Sequence, residues 1–259
     1  NGGLKMNRIE TCVLNPTAIA EAENMMVCAA RLTQRGHTVK CMRGFMDLYE
    51  KEHTAQTVAN LANLPHPTLQ KFAVINVAVV GASRRFLAQI TRHQNEVKFM
   101  SASLQYSDYS DEADFVVPYE LLNSSLKDSY ILSCEEAMER YKQLASADND
   151  SAGYVTPQGL RNILIISATP YQWKHMIGQR ICRRNTAETR YVMLKIWKEL
   201  YELSPELFSG GCFCMTGGCK EGKMSCGKPI SAGATPDEII KADFPLLAGG
   251  FSGYENKID

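Results

Sequence analysis

Residues 71–94 read KFAVINVAVVGASRRFLAQITRHQ. The first ten are β-branched and nearly all apolar, which predicts a well-buried strand broken at Gly81. Residues 82–94 then predict a helix. Phe86, Leu87 and Ile90 form its core stripe, while Arg85, Gln89 and Arg92 share another face at i, i+4 and i+7. The stretch closes on Arg92, His93 and Gln94.

Upstream, residues 15–35 predict a helix stopped by Gly36, with Ala18, Ala22, Met25, Met26, Ala29 and Leu32 on its apolar side. A second helical pattern covers residues 45–64 and ends before Pro65. Downstream, residues 95–114 read as a polar, serine-rich loop, and residues 115–118 as a short edge strand or turn. A long helical stretch runs to about residue 147, and residues 146–153 are turn-rich. Residues 162–167 are a short apolar run that fits helix or strand. A helix is predicted over residues 171–183. The next starts at Asn185, with Glu188 three residues on as a capping box, and carries Met193, Ile196, Trp197, Leu200 and Leu203 before Pro205. Residues 209–259 hold ten of the eighteen glycines and read as a loop-rich tail. Residues 1–5, before Met6, read as an expression scar.

The chain has 259 residues, 28 Lys+Arg against 28 Asp+Glu, and 45% hydrophobic residues. That length suits one domain with an appendage. The charge balance excludes a generally basic nucleic-acid binder and an acidic disordered tail. No run approaches the ~20 apolar residues that span a bilayer, and no signal-peptide layout is present. Nine cysteines, an odd number scattered along the chain, fit a reducing compartment and a cytoplasmic protein.

Three constellations bear chemistry. The first is Gln89, Arg92, His93 and Gln94, followed by Ser103, Gln105 and Tyr106 in the serine-rich loop. Arg offers a fixed fork of donors suited to phosphate, His donates and titrates near neutrality, and hydroxyls complete an anion or nucleotide pocket. A solvated polar helix end is the plain alternative. The second is His175, Arg180, Arg183 and Arg184. The three arginines fall at i, i+3 and i+4, so one helix face would need an anion nearby, either a ligand phosphate or Glu188 and other carboxylates. The third is Cys212, Cys214, Cys219 and Cys226, spaced C-x-C-x4-C-x6-C among glycines. Structural zinc wants four such ligands on short turns. The usual C-x2-C pairs are absent and no histidine is near, so no metal is expected, and free or partly oxidised thiols are the reading.

Together these residues carry a likeness. Residues 81–94 resemble the GVSR….Q..RHR segment of flavin-dependent thymidylate synthases. Pro65 and His66 resemble the start of the family's GH.S…EH, and Ser103 to Tyr106 its S-x-R-Y. Residues 115–118 resemble YVIP, residues 151–157 ARYVLP, and residues 175–182 HFF.LRCC. Residues 219–227 resemble a C-x-EGKM-x-CG ending found in some bacterial members.

The resemblance implies an α+β fold with an antiparallel sheet and a helical bundle, covering residues 6–208, with residues 209–259 as a Gly/Cys-rich tail. It implies FAD reduced by NADPH, a carbon taken from methylenetetrahydrofolate, and reductive methylation of dUMP to dTMP in a homotetramer whose sites form at subunit junctions. Carried over by position, His66, Arg92, His93, Gln94 and His175 would hold the flavin. Gln89, Ser103, Gln105, Tyr106 and Arg180 would hold the pyrimidine nucleotide, with Arg180 also activating its ring. Gln94, Phe72, Gln105, Gly153 and Tyr171 stand where the family carries other residues. Those departures leave a second reading open: a paralogue that acts on another pyrimidine nucleotide, or a silent nucleotide- or flavin-binding subunit.

Overall fold

The computed structural model describes residues 9–111 and 113–247. Residues 1–5 of the expected scar lie outside them. Among the described residues eleven α-helices and five short 3-10 turns surround one antiparallel sheet of four strands, ordered β1-β2-β4-β3. In chain order the strands and α-helices begin with β1 (Glu10–Val13), α1 (Thr17–Arg35), α2 (Met42–Tyr49), α3 (Ala55–Ala62), β2 (Ile75–Ser83) and α4 (Arg84–Ile90). They continue with β3 (Val97–Ser101), α5 (Lys127–Ala145), α6 (Asn149–Ala152), β4 (Arg161–Ala168) and α7 (Pro170–Arg180). The chain then forms α8 (Ala187–Leu203), α9 (Pro205–Phe208), α10 (Phe213–Gly217) and α11 (Pro236–Asp243). The α+β class with an antiparallel sheet is the one expected.

β2 is the spine. Ile75, Val77 and Val79 are completely buried and pack with Leu164, Ile166 and Ala168 of β4 and with Met193, Ile196, Trp197 and Leu200 of α8. Burial of each such side chain contributes roughly 1.5–3 kcal/mol. α8 touches β1, β2, α4, α7, α9 and α11, so it is the central helix of the packed side. Trp173 of α7 donates its indole N–H to the Ile75 carbonyl at 3.1 Å, which fixes α7 against the sheet.

Several expectations are corrected. β2 does not stop at Gly81. Gly81 has φ of 81°, and the β2–β4 register slips between Val80 and Ala82, so the glycine forms a bulge inside the strand. The helix over residues 82–94 is only Arg84–Ile90, capped by Ser83, whose Oγ accepts from the Phe86 amide at 3.1 Å. Arg92 therefore lies beyond it. Residues 95–114 contain β3, whose alternate residues face solvent, so it shows no apolar run. The apolar run at 162–167 is strand β4, decided by its pairing on both sides. The pattern over residues 45–64 is two short helices split by the charged segment at 50–54.

The face of the sheet away from α8 carries one apolar row across its four strands, flanked by Glu10, Asn76, Ser167 and Lys98. Cys12, Ala78, Ile165 and Met100 are neighbours in register, and Met100 is 73% exposed. Among the described residues no helix is long and apolar enough to cross a membrane.

Candidate functional site

Two chain segments build the site. One is the turn after α4, residues 91–96. It ends on Glu96, whose φ of 57° is unusual for a residue with a side chain and turns the chain into β3. The other is one face of α7. That helix starts at Thr169-Pro170 because the Thr169 hydroxyl accepts from the Gln172 amide at 3.3 Å and proline suits the first turn.

Between them lies a cleft of about 810 Å³ lined by Lys71, Arg92, His93, Gln94, Asn95, Glu96, Tyr171, Gln172, His175, Gln179 and Arg180. Its acid, Glu96, is engaged by Lys71 at 2.7 Å. Arg92 and Arg180 are left as a cationic pair.

Arg180 is held by neutral acceptors. Its Nε donates to His93 Nε2 at 2.9 Å, and its Nη2 donates to the Gln89 carbonyl at 2.8 Å. Its Nη1 reaches Asn185 Oδ1 at 3.4 Å. Among the described residues no carboxylate pairs with it. His93 is buried, and its pKa falls to about 4 through desolvation first, then the charges of Arg180 and His175. It is therefore neutral at pH 7, and its Nε2 lone pair faces Arg180. Burial lowers His175 as well. The two rings meet edge-on at 6.0 Å. Arg180 is lowered by desolvation and by Arg92, yet a guanidinium keeps its charge.

Arg92, His93, Gln94, His175 and Arg180 thus converge from residues more than eighty positions apart. The other expected residues are placed elsewhere in the single chain. Gln89 gives its carbonyl to Arg180, but its side-chain oxygen accepts from Thr189 at 2.6 Å and Thr186 at 3.3 Å. Ser103 Oγ accepts from the amides of Gln105 and Tyr106. That loop is tied back by Asn149, which donates to the carbonyls of Leu104, Gln105 and Ser107, and Tyr106 is 85% exposed. His66 is exposed at the start of the turn Pro67–Gln70.

Arg183 and Arg184 do not share a helix face with Arg180, because α7 ends there. Arg183 makes a two-pronged pair with Asp243, at 3.0 and 2.8 Å, and Arg184 lies 3.8 Å from Glu221. Their anions are thus carboxylates, but not Glu188. Glu188 is also not a capping residue. The cap of α8 is Thr186, and the buried Glu188 carboxylate accepts from the Ser83 amide at 2.6 Å and hydroxyl at 2.5 Å. Burial raises its pKa.

In the tail, Cys212, Cys214 and Cys219 line a cavity with Cys182 and Gln179, while Cys226 is exposed. Burial pushes the Cys212 thiol up to about 12; hydrogen bonds from Ser225 and the Glu221 backbone lower Cys219. Among the described residues no three His, Cys, Asp or Glu side chains are arranged to hold a metal ion.

Gln172 and Gln179 lie three residues before and four after His175, on its face of α7, so helical periodicity alone identifies them. Asn95 and Glu96 directly follow Gln94; only the left-handed turn at Glu96 brings them to the cleft.

The comparisons with known proteins agree with this frame. The family profile described as "Thymidylate synthase complementing protein" matches residues 15–206. The flavin-dependent thymidylate synthase of Geobacter sulfurreducens is 25% identical over 193 residues, which is 71% of this chain and 83% of that protein. The enzyme of the same name from Clostridium tetani is 25% identical over 173 residues, covering 58% of this chain and 68% of that one.

Two solved structures share the fold. Thymidylate synthase X from Helicobacter pylori, determined with FAD and dUMP, has a TM-score of 0.56 at 15% identity and covers 72% of this chain and 92% of that one. The UMP/dUMP methylase PolB of Streptomyces cacaoi, bound to 5-Br dUMP, has a TM-score of 0.58 at 14% identity and covers 78% and 93%. The chain belongs to the flavin-dependent thymidylate synthase family, whose members are enzymes of the methyltransferase type.

Proposed function

We propose that the chain is an FAD-dependent thymidylate synthase that methylates dUMP reductively to dTMP with methylenetetrahydrofolate and NADPH. The observation that carries this reading is the Arg180–His93 contact, 2.9 Å, inside a cleft that also holds Arg92 and His175. The cleft suits a flavin dinucleotide. It has room for a ring system, the guanidiniums of Arg92 and Arg180, which no carboxylate pairs among the described residues, for phosphate and ring oxygens, and neutral donors in Gln94, Asn95 and His175. Bound there, the flavin supplies the reducing equivalents that a protein side chain cannot.

The chain's own residues bind, orient and polarise. Arg92, Gln94 and His175 hold the cofactor. His93 accepts from Arg180 and so fixes the plane of its guanidinium. Arg180 directs its remaining donors at a nucleotide ring oxygen, where a fixed charge stabilises developing negative charge.

The expected nucleotide loop, with Ser103, Gln105 and Tyr106, does not line this cleft in one chain. A homotetramer resolves that. The apolar row Cys12, Ala78, Ile165 and Met100 on the sheet face away from α8 offers the contact surface, and the exposed loop would complete the cleft of another copy. A second reading, a paralogue acting on another pyrimidine nucleotide, is favoured by Gln105, Gly153 and Tyr171 and by the likeness to an enzyme that takes UMP as well as dUMP.

The test is the flavin spectrum of the purified protein, with dUMP and then UMP added, followed by tritium release from ring-labelled nucleotide with folate and NADPH present. A yellow protein whose spectrum shifts with dUMP and which releases tritium supports the main reading. Release from UMP alone favours the second. A protein that takes up no added flavin defeats the main reading.

A further inference from the structure

A separate cavity of about 400 Å³ lies on the other flank of α7, between the end of α3, the turn Pro67–Gln70 and residues 208–216. One part of its wall is strongly aromatic, Tyr171, Trp197, Phe208 and Phe213 with Leu64 and Ile177, and the rest is polar, with Asn63, Gln70, His175 and Thr216. Lys174 reaches into this wall. Its ammonium donates to the Ala62 carbonyl at 2.8 Å and to Gln70 Oε1 at 3.1 Å. Both acceptors are neutral. No Asp or Glu lines the cavity, and among the described residues no carboxylate pairs with Lys174. Desolvation alone pulls its pKa down to about 8, so it still carries its charge at pH 7.

A half-buried cation with no counter-charge is costly in an apolar wall unless an anion joins it. Small hydrated anions do not suit aromatic walls. A ring bearing one carboxylate suits both features, because the ring covers apolar surface and the carboxylate meets the ammonium. The rim is shaped for close approach. There Gly211, with φ of 59°, lets the chain pack onto Trp197 and Met215, where a Cβ would lie 2.7 Å from each, and so holds residues 208–216 against this wall.

We propose that this cavity is a binding site for a flat aromatic carboxylic acid, with Lys174 as the group that recognises its carboxylate. The site goes beyond the flavin cleft, although Tyr171 and His175 line both spaces and bring the two ligands close together. It does not depend on the identity of the methylation substrate.

The experiment uses the full chain as purified and two probes, 2-naphthoate and its neutral counterpart 2-naphthylmethanol, with binding read by calorimetry. The expected result is that the acid binds at least about tenfold tighter than the alcohol, since a hydrogen bond to a charged group discriminates by that much. In Lys174→Met the acid loses this advantage while the alcohol binds as before. Lys174→Arg keeps a preference for the acid. Any flavin absorbance present stays unchanged during the titration. The proposal is overturned if the native chain binds neither probe, or binds both equally. It is also overturned if Lys174→Met still prefers the acid, or if naphthoate displaces flavin. The native acid-against-alcohol comparison decides the matter even where a variant fails to fold.

Discussion

Arg161 and Arg180 are both drawn out of water, and the protein treats them in opposite ways. Arg161 on β4 is 1% exposed and lies 3.1 Å from the buried Asp114, while it donates to the Gly81 carbonyl at 2.7 Å. Its charge is answered inside the fold. Arg180 at the end of α7 is surrounded by a neutral histidine, a carbonyl and an amide, so among the described residues no carboxylate answers its charge. The difference separates an arginine that holds the scaffold from one kept for a ligand. It follows from the neighbours each one has, since both are arginines at the margins of regular elements.

Removing each charge tests this contrast most sharply. Arg161→Met should destabilise the protein by about 3–5 kcal/mol, because Asp114 is left as an uncompensated buried charge; urea unfolding measures it. A loss below about 1 kcal/mol would remove Arg161 from the structural class. Arg180→Gln should lower dUMP tritium release roughly 10²–10³-fold and change unfolding free energy by less than about 1 kcal/mol. A well-folded, fully active variant would break the comparison from the other side.

The neutrality of His93 gives a third test. Its pKa is about 4 in the fold against an ordinary value of 6.5. Between those values the unfolded chain holds the extra proton, so stability falls as pH drops from about 6.5 to about 4. The full loss is about 3 kcal/mol. Above pH 6.5 the His93 contribution is flat. His93→Gln, which cannot titrate, should lack this part of the acid sensitivity, as pH-dependent melting will show. An unchanged acid limb would mean that His93 is not held neutral by its burial and by Arg180.

Arg183 is the intermediate case. It shares Asp243 with Arg190, so Arg183→Gln leaves the carboxylate still paired. The expected cost is about 1 kcal/mol, read by the same urea titration. A loss as large as that of Arg161→Met would erase the gradation.

Only the Arg180 side of this contrast was legible in the sequence; nothing in it singled out Arg161, whose partner Asp114 lies 47 residues away. The β2 segment was legible because its β-branched, apolar run is that of a strand with a buried face. Arg92, His93 and Arg180 were legible through their place in a family pattern. What escaped was whatever depends on distant partners. Residues 162–167 have no period of their own and became a strand only by pairing with β2 and β3. β3 hid in a polar stretch because Lys98 and Met100 face outward. Glu188 had the spacing of a helix cap, but Thr186 capped α8 and freed Glu188 to reach Ser83, 105 residues away. Arg183 had the spacing of a phosphate fork, but its helix ended three residues earlier and Asp243 took it.

The bulge at Gly81 has a consequence for how this strand keeps its two faces in order. Ile75, Val77 and Val79 point inward as odd-numbered residues, yet Ala82 continues their row because one residue is spent in the kink. The strand thus reads in one frame before Gly81 and in the other after it. Straightening the strand at Gly81 with its length unchanged would keep every side chain and still turn Ala82 outward. Ser83 would move with it, away from the carboxylate that waits for it on α8.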